Sequence, residues 1–124
     1  MPSPSNSRRD PAALLPLTPA MFHVLLSLAE GDKHGYAILK EVTSRTDGEV
    51  ALSTGTLYGL IKRMLADGLI VSPLRRPAGG DDDERRRYYR LTDFGRQVAT
   101  AEAARHERIV QSARAFRLIP GKAR

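Results

Sequence analysis

Apolar positions along this chain fall into helix-length stretches and one alternating stretch, divided by short polar breaks. The run Met21, Phe22, Val24, Leu25, Leu26 and Leu28 predicts a first helix that ends near Ala29, before Gly31. Thr18 suits its N-cap, Pro19 its first turn, and Leu17 can pack on Phe22 as a hydrophobic staple. Because its apolar residues nearly encircle it, this helix is expected to be covered by its own domain on one side and by a partner on another. A second helix is predicted over about His34 to Arg45, with Tyr36, Leu39 and Val42 sharing a side, and Thr46-Asp47-Gly48 breaks it. Glu49 to Leu52 reads as a short strand.

The third helix is the best signposted. Ser53 is placed as N-cap, and Leu57, Leu60, Ile61, Met64 and Leu65 follow the i, i+3, i+4, i+7, i+8 pattern of a buried face. Its opposite face carries Gly55, Gly59, Lys62 and Arg63, with Thr54, Thr56 and Tyr58 on the flanks. An exposed glycine costs a helix about 1 kcal/mol relative to alanine. Close approach of a large partner and simple tolerance explain the two glycines equally well. Leu69 to Leu74 and Arg85 to Leu91 then read as a hairpin whose second strand turns Tyr89 and Leu91 inward. Thr92 opens a long last helix to about Arg117, with Phe94, Val98, Ala101, Ile109, Ala113 and Phe116 as a thin apolar stripe interrupted by Arg105.

The fold class expected from this order is mainly α with a small β-hairpin (α+β), a winged helix-turn-helix with a long C-terminal dimerisation helix. Residues 1–16, with four prolines among Ser, Asn and Arg, are expected to form a disordered N-terminal arm, on which Arg8 and Arg9 are either phosphate contacts or solvated. Residues 17–92 form the DNA-binding domain, 93–117 the dimerisation helix and 118–124 a flexible tail. A stripe this thin on a helix this long suits pairing with a second copy of the chain.

Composition narrows the chemistry. Twenty Lys and Arg against fourteen Asp and Glu leave a net charge of +6, which favours a polyanionic partner. With no cysteine, disulfides and thiolate metal sites are excluded. No run approaches the roughly 20 apolar residues of a membrane span and no secretory h-region is visible, so no membrane partner and a cytoplasmic location are expected. The three histidines, His23, His34 and His106, lie on separate elements, and no Gly-rich phosphate loop follows a strand, so no enzyme, metal or cofactor is expected. The acids Asp81 to Glu84 lack the spacing of a calcium loop.

The expected DNA-binding residues are therefore Ser53, Thr54, Thr56, Tyr58, Lys62 and Arg63 on the third helix and Arg85, Arg86, Arg87 and Tyr88 on the hairpin. The expected dimer interface is Met21, Phe22, Val98, Ala101, Ile109, Ala113 and Phe116.

Several short motifs occur together: His34-Gly35-Tyr36 with Ile38, Gly55-Thr56-Leu57-Tyr58, Lys62-Arg63-Met64-Leu65, Asp67-Gly68-Leu69-Ile70, and Arg87-Tyr88-Tyr89-Arg90-Leu91-Thr92 with Gly95. Over about residues 17 to 97 this combination resembles the PadR-like family of bacterial transcriptional regulators. The resemblance implies a winged-helix domain bound to double-stranded DNA, a homodimer built through the last helix, repression at an imperfect palindrome, and release by a small-molecule effector. Two features depart from the family pattern: Gly59 stands where Pro is frequent, and the acids at 81 to 84 cancel Arg85, Arg86, Arg87 and Arg90, leaving the wing neutral. That neutral wing favours one alternative, a winged-helix protein-interaction module without specific DNA binding.

Overall fold

Each helix begins where a side chain can take up an otherwise unpaired backbone amide. The computed structural model describes residues 9–73 and 87–120. In it, Thr18 Oγ1 accepts from the Met21 amide (3.2 Å) to open α1 (Pro19–Ala29), and His34 Nδ1 accepts from Ala37 (3.2 Å) to open α2 (Gly35–Arg45). Ser53 Oγ accepts from Thr56 (3.0 Å) at α3 (Thr54–Ala66), and Thr92 Oγ1 accepts from Gly95 (2.8 Å) at α4 (Asp93–Ala115).

Three short strands, β1 (Lys33–His34), β2 (Ile70–Val71) and β3 (Tyr88–Leu91), form an antiparallel sheet in the order β1-β3-β2. Lys33 pairs with Tyr89, and Ile70 with Leu91. The third strand is therefore not the one expected at Glu49–Leu52. Thr46 Oγ1 accepts from the Val50 amide (3.0 Å) while donating to the Val42 carbonyl, and Asp47 and Gly48 take positive φ. The backbone there folds back on the end of α2, and the free edge of β3 is taken by Lys33–His34.

The core comprises Val24, Leu25 and Leu28 of α1, Ile38 and Val42 of α2, Leu57, Ile61 and Met64 of α3, Leu69, Ile70, Tyr89 and Val98. The buried face of α3 matches its sequence periodicity. On α2 the inward residue is Ile38 rather than Tyr36, which is 52% exposed. The spacing Ile38–Val42, with Gly35 one turn earlier, is the true core line.

Residues 9–16 do not continue the expected arm. Pro11–Leu14 make a 3-10 turn against α4, Leu14 and Leu15 pack on the core, and Leu17 is buried. Arg9 lies 4.3 Å over the Phe94 ring and donates to the Asp67 carbonyl at the end of α3, so it serves the fold rather than reaching out for phosphate.

This segment is locked to α4 by a buried carboxylate. Glu102 accepts from the Leu17 amide (3.2 Å), is paired with Arg105 (2.7 Å), and meets His106 Nε2 (3.2 Å), whose ring stacks 5.1 Å from Phe22. These donors, Arg105 foremost, hold the Glu102 pKa down to about 2 against an ordinary value of 4.5. A depressed carboxylate stabilises the fold fully above about pH 4.5, and the contribution disappears as the pH falls towards 2. Glu102→Gln should lower unfolding free energy at pH 7 by about 1–3 kcal/mol. In denaturant titrations from pH 7 to 2, the gap to the wild type should narrow below pH 4.5; a constant gap would place the loss elsewhere.

Candidate nucleic-acid interface

Among the described residues, nothing covers the outer face of α3. Thr54, Gly55, Thr56, Gly59, Lys62 and Arg63 are all exposed. A methyl group added at Gly55 or at Gly59 would meet nothing within 4 Å. Ser53 Oγ donates to Thr56 Oγ1 (2.9 Å). Lys62 and Arg63 have no acidic partner among the described residues.

Tyr58 sits differently from its expected place at the reading surface. It is half-buried, with its hydroxyl against the first residue of α2, and any side chain at Gly35 would overlap that hydroxyl. A side chain at 35 would therefore require the Tyr58 ring to shift.

The wing is described only at its base. Arg85, Arg86 and the acids Asp81 to Glu84 lie outside the described residues, as does the feature that favoured the protein-interaction alternative. Arg87 and Tyr88 are exposed. The imidazole of His34 meets the Tyr88 ring edge-on at 5.4 Å, which ties the first residue of β3 to the start of α2. Arg90, counted with the wing cations, turns back instead: it holds Asp32 through two nitrogens (Nη2–Oδ2 2.9 Å, Nε–Oδ1 3.1 Å) and depresses the Asp32 pKa by that hydrogen bonding.

A second cluster gathers at the joint of α1 and α2. Arg45 donates to Ser27 Oγ (3.0 Å) and pairs with Glu41, while Lys33 donates to the Ser27 carbonyl (2.9 Å) and pairs with Glu30 (2.8 Å) and Glu41. Burial and then Arg45 lower the His23 pKa. The Glu41–Arg45 spacing of four was visible in the sequence, but the long-range partners were not.

The residues expected at a dimer interface divide in two. Met21 and Val98 are 8% and 0% exposed within the protomer, and belong to its core. Phe22 is half-buried beside His106, and Ala101 lines a shallow groove with Pro11 and Ala12. Ile109, Phe116 and, beyond the helix, Leu118 are 54%, 75% and 78% exposed, with Ala113 part-covered between them. The first half of α4 packs against its own domain; the second half does not.

A recognition helix with a stripped outer face, a sheet behind it and a long helix beyond is the arrangement of winged-helix DNA readers. The family model for the transcriptional regulator PadR-like family matches residues 24–101, more than half of the chain. The chain belongs to this family. The PadR-like regulators are DNA-binding transcription regulators rather than enzymes. Among solved structures, a transcriptional regulator from Clostridium thermocellum is similar at 29% identity and TM-score 0.62, over 78% of this chain and 91% of that one. A PadR family transcription regulator from Clostridium difficile R20291 is similar at 29% identity and TM-score 0.63, over 78% and 96%. A PadR-like transcriptional regulator from Bacillus cereus shares the fold at 22% identity and TM-score 0.63, over 82% and 92%. No curated protein matches the chain. No helix among the described residues is long and apolar enough to cross a membrane.

In this PadR-like chain the smooth patch at Gly59 separates the two explanations left open by the sequence. Gly59→Ala should raise thermal stability, by about 1 kcal/mol, because it adds helix propensity where no atom is in the way. If the patch exists for close approach, the same variant should bind duplex DNA more weakly in a fluorescence-anisotropy titration. Higher stability with unchanged affinity would mean that the glycine is merely tolerated.

Proposed function

We propose that the chain is a homodimeric repressor that acts in the cytoplasm at a palindromic operator, its paired α3 helices entering successive major grooves about 34 Å apart. The observation that carries this reading is the sorting of cations. Lys33, Arg45, Arg90 and Arg105 are tied to carboxylates that belong to the fold. Lys62 and Arg63, on the exposed face of α3, and Arg87 at the wing base are among the cations that have no acidic partner among the described residues. Phosphate oxygens would supply the missing partners. Ser53, Thr54 and Thr56 stand at the N-terminal end of the same face, where base edges are read.

Homodimerisation is supported by the C-terminal half of α4. Ile109, Val110, Phe116 and Leu118 expose more apolar surface than a monomer ordinarily leaves on one projecting element. In light scattering the 13.7 kDa chain should show twice that mass. Ile109→Asp with Phe116→Asp should give a folded monomer, since neither residue is in the core. A doubled mass that persists would move the interface off α4.

The test of the DNA reading is Lys62→Gln with Arg63→Gln. Loss of two phosphate contacts should weaken binding to every sequence and flatten the plot of log affinity against log salt by about 0.9 per contact. An unchanged slope would remove both residues from the interface. For an effector, the groove of Pro11, Ala12, Gln97, Ala101 and Ala104 between the N-terminal turn and α4 is the candidate site. Ligand-induced thermal stabilisation, lost in Ala101→Trp, would identify it.

A further inference from the structure

Large apolar side chains that stay in water are concentrated on the end of α4, but three of them, Tyr36, Val71 and Tyr88, are elsewhere. His34, Gly35 and Tyr36 are consecutive. The His34 ring is 5.4 Å from that of Tyr88, and Gly35 lies under the Tyr58 hydroxyl, so the start of α2 is joined both to the base of the wing and to α3. Tyr36 is 52% exposed, and its ring is held from one side by Lys40, whose Nζ lies 5.4 Å from the ring centroid one helical turn later. Lys40 has no carboxylate partner among the described residues. The nearby carboxylates are taken: Glu41 by Lys33 and Arg45, and Asp32, just before β1, by Arg90.

Burial does not explain Tyr36, because the core line of α2 runs through Ile38 and Val42. The pair instead presents an exposed phenol and an ammonium near each other, one residue along from Gly35, which lies under the α3 residue Tyr58. Those are the groups that proteins use on phosphate oxygens, where a neutral hydroxyl fixes register and a cation supplies salt-dependent affinity.

We propose that Tyr36 and Lys40 are DNA-binding residues: together they grip a backbone phosphate beside the groove that α3 enters, and the His34–Tyr88 contact holds this clamp in register with the wing. The clamp rests on the DNA-binding reading above and adds a contact on α2 to those assigned to α3 and the hairpin. It is indifferent to base sequence, so it serves both operator and random DNA. Its two members make different contributions. Lys40 carries charge, whereas Tyr36 carries direction.

The difference makes the clamp testable on a random-sequence 30-base-pair duplex, with no knowledge of the operator. Binding is followed by fluorescence anisotropy across a salt series for the full chain and for Lys40→Gln, Tyr36→Phe and Lys62→Gln with Arg63→Gln. Lys40→Gln should flatten the slope of log affinity against log salt by about 0.9. Tyr36→Phe, which removes one oxygen and leaves the ring, should weaken binding about three- to tenfold at every salt concentration with the slope unchanged. Both sites are on the surface, and matching thermal melts confirm that the fold is intact. Wild-type affinity and slope in both variants, with loss in the Lys62 and Arg63 variant, would overturn the clamp and leave the DNA reading standing. Wild-type behaviour in all three would overturn both.

Discussion

The turn at His34 and Gly35 is the joint where the sheet, the start of α2 and α3 meet. A recognition helix can read a groove only if its angle to the rest of the domain is fixed, and helix-helix distance is set by the side chains at the crossing. Here the crossing has a phenol on one helix and no side chain on the other. The residue before that glycine extends the joint in three directions: His34 caps α2, pairs with Tyr88 in the sheet and meets its ring. Helix angle, sheet edge and wing base therefore follow from a single turn of chain. A larger residue at 35 would require the Tyr58 ring to shift from its place against the start of α2.

Charge is partitioned around this joint. Carboxylates that belong to the fold, at Asp32, Glu41 and Glu102, neutralise the cations that stabilise it. The cations of α3 and the wing base are left without acidic partners among the described residues. Such surface cations do little for stability, and their value lies in contact with a polyanion. The long last helix is divided in the same way. Up to Glu102 it belongs to the core, anchored through the Leu17 amide; beyond it the helix projects with its apolar residues uncovered.

What the sequence makes legible is whatever depends on local periodicity and capping. Leu57, Ile61 and Met64 define a helix face by spacing alone, and Ser53, Thr92 and Thr18 mark helix starts by their chemistry. What it hides depends on distant partners. Alternation puts Tyr88 and Arg90 alike on the outer face, and nothing local shows that Arg90 is committed to Asp32, 58 positions away. The spacing of Glu102 from Arg105 and His106 hints at a cluster, yet the Leu17 amide that makes it structural is 85 positions away. On α2 the spacing of three that groups Tyr36, Leu39 and Val42 competes with the line Ile38–Val42, and only packing against the rest of the domain decides for the second. The strand expected at Glu49–Leu52 failed for a related reason: a two-residue strand carries no pattern, and the choice between two edges is made by the sheet.

Contact between the exposed face of α3 and DNA is the central claim. The most direct measurement is the mobility shift of the purified wild-type chain on the DNA immediately upstream of its own gene, at two salt concentrations and against a scrambled competitor. Retention that survives the competitor and weakens as salt rises is the expected result. Absence of retention at low salt on either DNA would contradict the account, and the uncommitted cations around α3 would then require a different partner.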